Sequence, residues 1–264
     1  MKVFLTLLFL FSTIKYSFAQ DDYGLNNNDE SIKKLKVKSL AIYFFKKEAD
    51  SILTTINTYD SFGGRLSCKG FSSDGSLLSS DTFIYDTNHY LVKQVRYSGN
   101  KISYESTFTN NENGKMLKQI MTGDSLYYEV LCSYDKNGRI TSSVGYDNKK
   151  DTTVISYTYN KKGLVKKHTI VDNKKDSTVI FTSYNSSGKV IKRKKIYPES
   201  RYFSKLKYNG NGENYEVTTT IISDKPTTVN KVTYSYYPNG LAYQRIFYKN
   251  KKPIITESSY YTYY

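Results

Sequence analysis

Val130-Leu131-Cys132-Ser133-Tyr134-Asp135-Lys136-Asn137-Gly138-Arg139-Ile140 reads as a strand, a turn and the start of a second strand. Val130, Cys132 and Tyr134 alternate with Leu131 and Ser133, and period two marks a strand with one face better buried. Asp135, Asn137 and Gly138 supply what a tight turn needs: side chains that bond their own main chain, and left-handed backbone at low cost. The turn recurs as Tyr159-Asn160-Lys161-Lys162-Gly163, Tyr184-Asn185-Ser186-Ser187-Gly188, Tyr208-Asn209-Gly210-Asn211-Gly212 and Tyr236-Tyr237-Pro238-Asn239-Gly240. Upstream, Tyr59-Asp60-Ser61-Phe62-Gly63 matches, and Tyr85-Asp86-Thr87-Asn88-His89 matches with His in the Gly slot. Asn110-Asn111-Glu112-Asn113-Gly114 keeps the turn without the Tyr.

The last position of each turn, the slot, falls at 63, 89, 114, 138, 163, 188, 212 and 240, spaced 24 to 28 residues apart. Eight turns so evenly spaced are an internal repeat. The entering strands alternate alike: Ile155, Tyr157 and Tyr159 share a face, as do Val232, Tyr234 and Tyr236. In the leaving strand, Leu91, Val95 and Tyr97 share a face with Lys93, and Ala242, Ile246 and Tyr248 share one with Gln244. On that reading a long polar residue in mid-strand lays its stem on inward apolar neighbours. Polar segments link the units: Asn148 to Thr152, Asn173 to Ser177, Gly123 to Ser125 and Lys47 to Ser51. Residues 36–45 and 50–59 read as strands of the same pattern.

The expectation is an all-β fold of about eight units of about 25 residues. Their antiparallel hairpins would form one elongated, twisted and curled sheet or partial barrel, with a full barrel and a four-bladed propeller as alternatives. Residues 1–19 read as a signal peptide: Lys2, an apolar run from Val3 to Ile14, then small residues at Ser17 and Ala19. Residues 20–35 read as a flexible polar lead-in and 36–264 as the repeat domain. No later run is long and apolar enough for a transmembrane helix. The protein is expected in the periplasm, at the cell surface or outside the cell.

The tandem Tyr-Asp/Asn-x-x-Gly hairpins resemble the YD-repeat (Rhs-type) family of bacterial surface and secreted proteins. Tyr134 to Ile140 and Tyr59 to Leu66 carry the closest likeness, and Tyr236 to Gly240 also looks like the related MORN-variant repeats. The resemblance spans residues 36 to about 250. It implies that Tyr59, Gly63, Tyr85, Asp86, Gly114, Tyr134, Asp135, Gly138, Tyr159, Gly163, Tyr184, Gly188, Tyr208, Gly212, Tyr236 and Gly240 build structural repeat turns. In that family, long arrays form β-spiral shells and shorter ones act as binding or structural modules. With about eight units and no separate C-terminal effector region, this chain fits the second kind.

Composition narrows function further. The chain of 264 residues has 28 Tyr, two Cys and two His, too few for a Cys- or His-rich metal site. Removing Lys2 and Lys15 with the leader leaves 37 of 39 basic residues against 24 acidic, a net charge of about +13. That balance suits a polyanion surface, although AT-rich codons also favour Lys, Asn, Tyr and Ile. Only six of the basic residues are Arg, the better fork for phosphate or carboxylate. No His-Glu-x-x-His, Gly-x-Ser-x-Gly, Cys-x-x-Cys or phosphate-cradling loop occurs. His89 lies in a turn and His168 in a strand beside Lys167. Asp60, Asp86 and Asp135 recur once per unit, as turn-formers do, whereas paired catalytic acids are singular.

Function is therefore expected to be non-enzymatic: a Tyr/Lys-rich face for a partner such as an anionic polysaccharide or a surface protein, with neither cofactor nor nucleic acid. A mechanical or assembly scaffold and a glycan-acting enzyme are the alternatives. An outer-membrane barrel is a further possibility, opposed by Lys93, Lys167 and Lys192 in mid-strand. Cys68 and Cys132 would lie five strands apart in a flat meander, roughly 24 Å at about 4.8 Å per strand. A disulfide needs Cα atoms within about 7 Å, so two unpaired, largely buried thiols are expected unless the sheet coils back on itself.

Overall fold

The computed structural model describes residues 32–45, 51–148, 151–172 and 177–263. The segment read as the leader and residues 20–31 lie outside them, as do parts of the links around 47–51, 148–152 and 173–177. The described residues form eighteen strands. These are β1 Val37–Phe45, β2 Ile52–Tyr59, β3 Arg65–Phe71, β4 Leu77–Tyr85, β5 Leu91–Ser98, β6 Lys101–Asn110, β7 Met116–Thr122, β8 Tyr127–Tyr134 and β9 Ile140–Asp147. There follow β10 Asp151–Tyr159, β11 Val165–Asp172, β12 Ser177–Tyr184, β13 Val190–Ile196, β14 Ser200–Tyr208, β15 Asn214–Ser223, β16 Thr228–Tyr236, β17 Ala242–Lys249 and β18 Lys252–Tyr263.

Each strand pairs antiparallel with its neighbours in sequence, and β18 pairs with β1 from Val37↔Tyr263 to Phe45↔Thr256. The sheet is thus a closed up-and-down barrel, not an open curled sheet or a propeller. An open sheet of hairpins would leave the backbone groups of β1 and β18 unpaired, and closure removes both edges. Eighteen strands at about 4.8 Å give a ring roughly 85 Å around, measured across the strands, wider than side chains can fill. Each strand packs on its two ring neighbours.

The two faces differ as the repeat dictates. The inner wall carries most of the buried side chains, among them Ser106, Gln119, Met121, Tyr128, Val130, Ile155, Ile180 and Val217, while Val95 is buried on the outer wall. Phe108, Met116, Met121, Tyr128 and Val130 make its main apolar cluster. Partners on this wall are polar as well: Gln94 Nε2 donates to Asp81 Oδ1 at 2.9 Å, and Arg245 pairs with Glu257.

A β-bulge just beyond each turn corrects one expectation. Tyr85 pairs with Leu91 while Ile84 pairs with Lys93, so Val92 is an extra residue. The bulge leaves Leu91 inward and turns Lys93, Val95 and Tyr97 outward, where Lys93 Nζ lies 2.8 Å from Glu105. Tyr236↔Ala242 and Ser235↔Gln244 repeat the shift, so Ala242 is inward and Gln244, Ile246 and Tyr248 are outward. The inner positions belong instead to Gln94, Arg96, Arg245 and Phe247.

The closing seam is sealed by residues that the sequence reading left in the lead-in. Residues 32–34 form one helical turn, and Ile32 is 2% exposed in a cluster with Val37, Leu40, Tyr59 and Leu241. Leu35 packs against it. The ordered domain therefore takes in residues 32–35.

Candidate anion-binding face

The repeated turns come first, because they set the strand order that builds the face. In seven of the eight, the Asp or Asn after the Tyr slot folds its side-chain oxygen back onto main-chain amides, and in the turn 236–240 Asn239 Oδ1 accepts from Leu241 N instead. Asp86 Oδ1 accepts from Asn88 N at 2.9 Å and Tyr90 N at 2.8 Å, and Asp60 Oδ1 accepts from Phe62 N and Gly64 N. Asp135 Oδ1 accepts from Asn137 N and Arg139 N, while its other oxygen takes the Arg139 guanidinium, which holds this carboxyl below its usual range. Gly63, Gly114, Gly138, Gly163, Gly188, Gly212 and Gly240 all have φ between 69° and 86°, and His89 takes the same conformation at 61°. His89 stacks on Phe62 of the neighbouring turn, ring centroids 4.0 Å apart.

The tyrosines tie one unit to the one before it. The Tyr85 hydroxyl donates to the carbonyl of Arg65 at 3.0 Å, Tyr134 to Met116 at 2.8 Å, Tyr208 to Val190 at 2.8 Å and Tyr236 to Asn214 at 2.7 Å. Tyr159 and Tyr184 bond Ile140 and Val165 in the same way. Every acceptor is the residue two after the previous slot, where the bulge interrupts the ladder. Asn110, standing in the Tyr slot of its unit, bonds Leu91 through Nδ2 at 2.9 Å. Burial pushes the Tyr134 and Tyr236 phenols far above their ordinary value. Tyr59 is buried in the seam cluster. The turns thus form a belt around one end of the barrel, with six of these tyrosine hydroxyls each bonding a main-chain carbonyl of the unit before.

The side chains elsewhere sort by wall. Arg65, Arg96, Arg193 and Arg245 have inward register positions, and Arg96 lies 3.7 Å from Asp81. Outward, Lys118 pairs with Glu129 at 2.6 Å, and Glu216 takes Lys207 at 2.8 Å and Lys231 at 3.2 Å. His168 is inward, its ring 5.7 Å from that of Tyr157. Cys68 and Cys132, on β3 and β8, are both free thiols, and burial pushes the Cys132 thiol up to about 12. Closure does not bring them together, because they sit on one arc of the ring. Among the described residues no group of three His, Cys, Asp or Glu side chains could hold a metal ion.

One quarter of the outer wall stands apart. Across β11 to β14, Lys167, Phe181, Lys194 and Phe203 follow one another in register. Lys167 Nζ sits 5.8 Å from the Phe181 ring centroid and Lys194 Nζ 5.6 Å from that of Phe203. In the next row Lys192 stands directly opposite Lys205, an arrangement of like charges that destabilises a sheet. β12, β13 and β14 contain neither Asp nor Glu. Desolvating aromatic faces under ammonium groups, with no acid in register to neutralise them, makes a surface suited to a chain of spaced negative charges. At the edge of this quarter a pocket of about 620 Å3 opens between the 197–199 turn and the ends of β12 and β15.

The sequence reading passed over this quarter, noting Lys167 and Lys192 only as charges a membrane would reject. The legible signal was Lys192-Arg193-Lys194-Lys195, whose period-two spacing sends Lys192 and Lys194 to one wall and Arg193 and Lys195 to the other.

Fold and face together define an up-and-down β-barrel with a cationic outer quarter. Residues 118–259, more than half of the chain, match a protein family described as "Uncharacterised protein", and the chain belongs to that family. No curated protein matches it. Among solved structures it is similar to a porin-like protein from Bacteroides uniformis ATCC 8492, at 10% identity and a TM-score of 0.46, over 86% of this chain and 98% of that one. A porin-like protein from Bacteroides vulgatus ATCC 8482 matches at 10% identity and 0.45, over 86% and 99%. The structure titled TcdB2-TccC3-TEV matches 77% of this chain and 16% of its own, at 11% identity and 0.25.

Proposed function

We propose that the protein is an exported, non-enzymatic binding module of YD-type hairpins, and that the outer wall of β11 to β14 binds an anionic polysaccharide. The observation that carries this reading is the pair of rows Lys167–Phe181–Lys194–Phe203 and Lys192–Lys205, with no acidic residue in β12, β13 or β14. Aromatic rings between ammonium groups suit a ligand with apolar sugar faces between its charges better than a bare field of charge would. Export rests on residues 1–19.

A lipid-facing outer wall is disfavoured. Lys93 with Glu105, Lys118 with Glu129, and Glu216 with its two lysines all point outward from mid-strand. In a bilayer each outward Lys near the midplane would cost about 2–4 kcal/mol. No helix of the described residues is long and apolar enough to cross a membrane.

The test is retention of the chain from Gln20 onward on immobilised neutral and anionic polysaccharides, at low salt and again near physiological ionic strength. The anionic matrix should retain the protein at both, and Lys192→Gln with Lys205→Gln should release it at the higher salt. Failure of the unaltered protein to bind at low salt would overturn the reading, and binding unchanged by the double substitution would move it off this face.

A further inference from the structure

The pocket beside the 197–199 turn adjoins the proposed polyanion face without belonging to its lysine rows. Its floor is an outward row of apolar residues: Ile196 stands opposite Arg201, and Arg201 opposite Ile222, with Val179 next to Ile196 on β12. Arg201 is exposed and is the single cation in the lining, set between two isoleucines with no acid opposite it. It lies two residues along β14 from Phe203, so the pocket continues the face toward the other end of the barrel. Ser177 brings a hydroxyl to the rim, while Ser200 and Ser223, directly opposite one another, alternate to the inner register. The turn itself is fixed by Tyr197 N donating to Ser200 O at 2.8 Å, and it carries Glu199.

These groups ask for a particular chemistry. A guanidinium fork fits a planar carboxylate with two parallel hydrogen bonds. An apolar floor fits the C–H face of a pyranose ring. One hydroxyl and one carboxylate at the rim fit ligand hydroxyls, which can donate to Glu199. A sulfate or phosphate ester takes the place of one of those hydroxyls, which removes a donor and sets a charge beside Glu199, whereas a uronate carboxylate leaves the ring hydroxyls in place. The volume of about 620 Å3 accommodates one or two sugar rings.

We propose that this pocket is a subsite for a uronic acid residue, with Arg201 on its carboxylate, Glu199 accepting from its hydroxyls, and Val179, Ile196 and Ile222 beneath its ring. The proposal rests on the polysaccharide reading of the adjacent face and adds to it a ligand class, carboxylated rather than sulfated sugar.

The experiment titrates the chain from Gln20 onward with trigalacturonate and, separately, with a sulfated heparin hexasaccharide at about 150 mM salt, by calorimetry. Arg201→Gln should weaken trigalacturonate about tenfold and leave the sulfated probe within twofold, with Arg201→Lys in between on trigalacturonate. Arg201 is exposed, so an unchanged thermal melt is expected of both variants. Lys192→Gln with Lys205→Gln should weaken both probes alike. If Arg201→Gln leaves trigalacturonate unchanged while the double lysine variant weakens it, the pocket proposal is wrong and the face stands. If the unaltered protein binds neither probe, the face reading falls and the subsite with it.

Discussion

The hydroxyl of Tyr184 donates to the carbonyl of Val165 at 2.7 Å, reaching back 19 residues to the bulge of the preceding hairpin. That bond is repeated around the barrel by tyrosines a unit apart, so each hairpin satisfies an acceptor that its predecessor cannot. Tyr184→Phe keeps the ring and removes the donor. It should lower stability by about 1 kcal/mol, read as a shift in urea midpoint at unchanged slope. Tyr134→Phe should do the same, and the double variant should sum the two, since the sites are a full two units apart.

Gly114 and Gly188 share a left-handed backbone but not their surroundings. A Cβ at Gly114 would come within 2.3 Å of the Tyr90 ring, whereas at Gly188 the nearest atom is Leu164 Cδ1 at 3.6 Å. Gly188→Ala should lose only the conformational term, about 1–2 kcal/mol. Gly114→Ala should lose clearly more, because the Tyr90 ring must also move. Equal losses in thermal or urea unfolding would show that packing around the slot does not matter.

Glu257 lies on the inner wall against Arg245, and burial outweighs the guanidinium, holding its carboxyl above the ordinary 4.5. A carboxyl raised on folding holds its proton more tightly in the native state. Its contribution to stability is complete below pH 4.5 and is lost as pH rises through the raised value. Relative to Glu257→Gln, the unaltered protein should therefore lose stability as pH rises above 4.5. A stability difference constant across that range would contradict the assignment. Arg245→Met, which strands the carboxylate, should cost about 3–5 kcal/mol at neutral pH.

Burial raises both thiols, Cys132 to about 12 and Cys68 in the same direction, the Arg65 guanidinium partly opposing it there. The reactive thiolate is scarce at pH 8. Native protein should resist iodoacetamide for hours, and two thiols should titrate at once in denaturant without reductant. A single reactive thiol, or none, would be inconsistent with two free cysteines.

The turns were legible because their chemistry is local. Asp135 needs only Asn137, Gly138 and Arg139 to make its turn, and the spacing of eight such turns gave the number of hairpins. The direction of the leaving strands was not legible. Val92 and Tyr243 look like ordinary members of an alternating run, and only pairing with Tyr85 and Tyr236 reveals them as extra residues. Closure was equally hidden, since it depends on accumulated coiling over eighteen strands and on Leu40 meeting Tyr261 across 221 positions of sequence. The cationic quarter escaped for a related reason. Lys192 and Lys205 become neighbours only once β13 and β14 are placed in register.

The pairing of the first strand with the last makes circumference an arithmetic property of the gene. One more copy of a 25-residue segment would widen the ring by two strand spacings, about 10 Å of perimeter or 3 Å of diameter, and would present the same bulge carbonyl and the same tyrosine to its neighbours. Duplication or loss of a unit could then resize the barrel without redesigning any interface except the seam of Ile32, Val37, Leu40, Tyr59 and Leu241. The seam fixes where counting stops, and the repeat is free to set how large the enclosed space becomes.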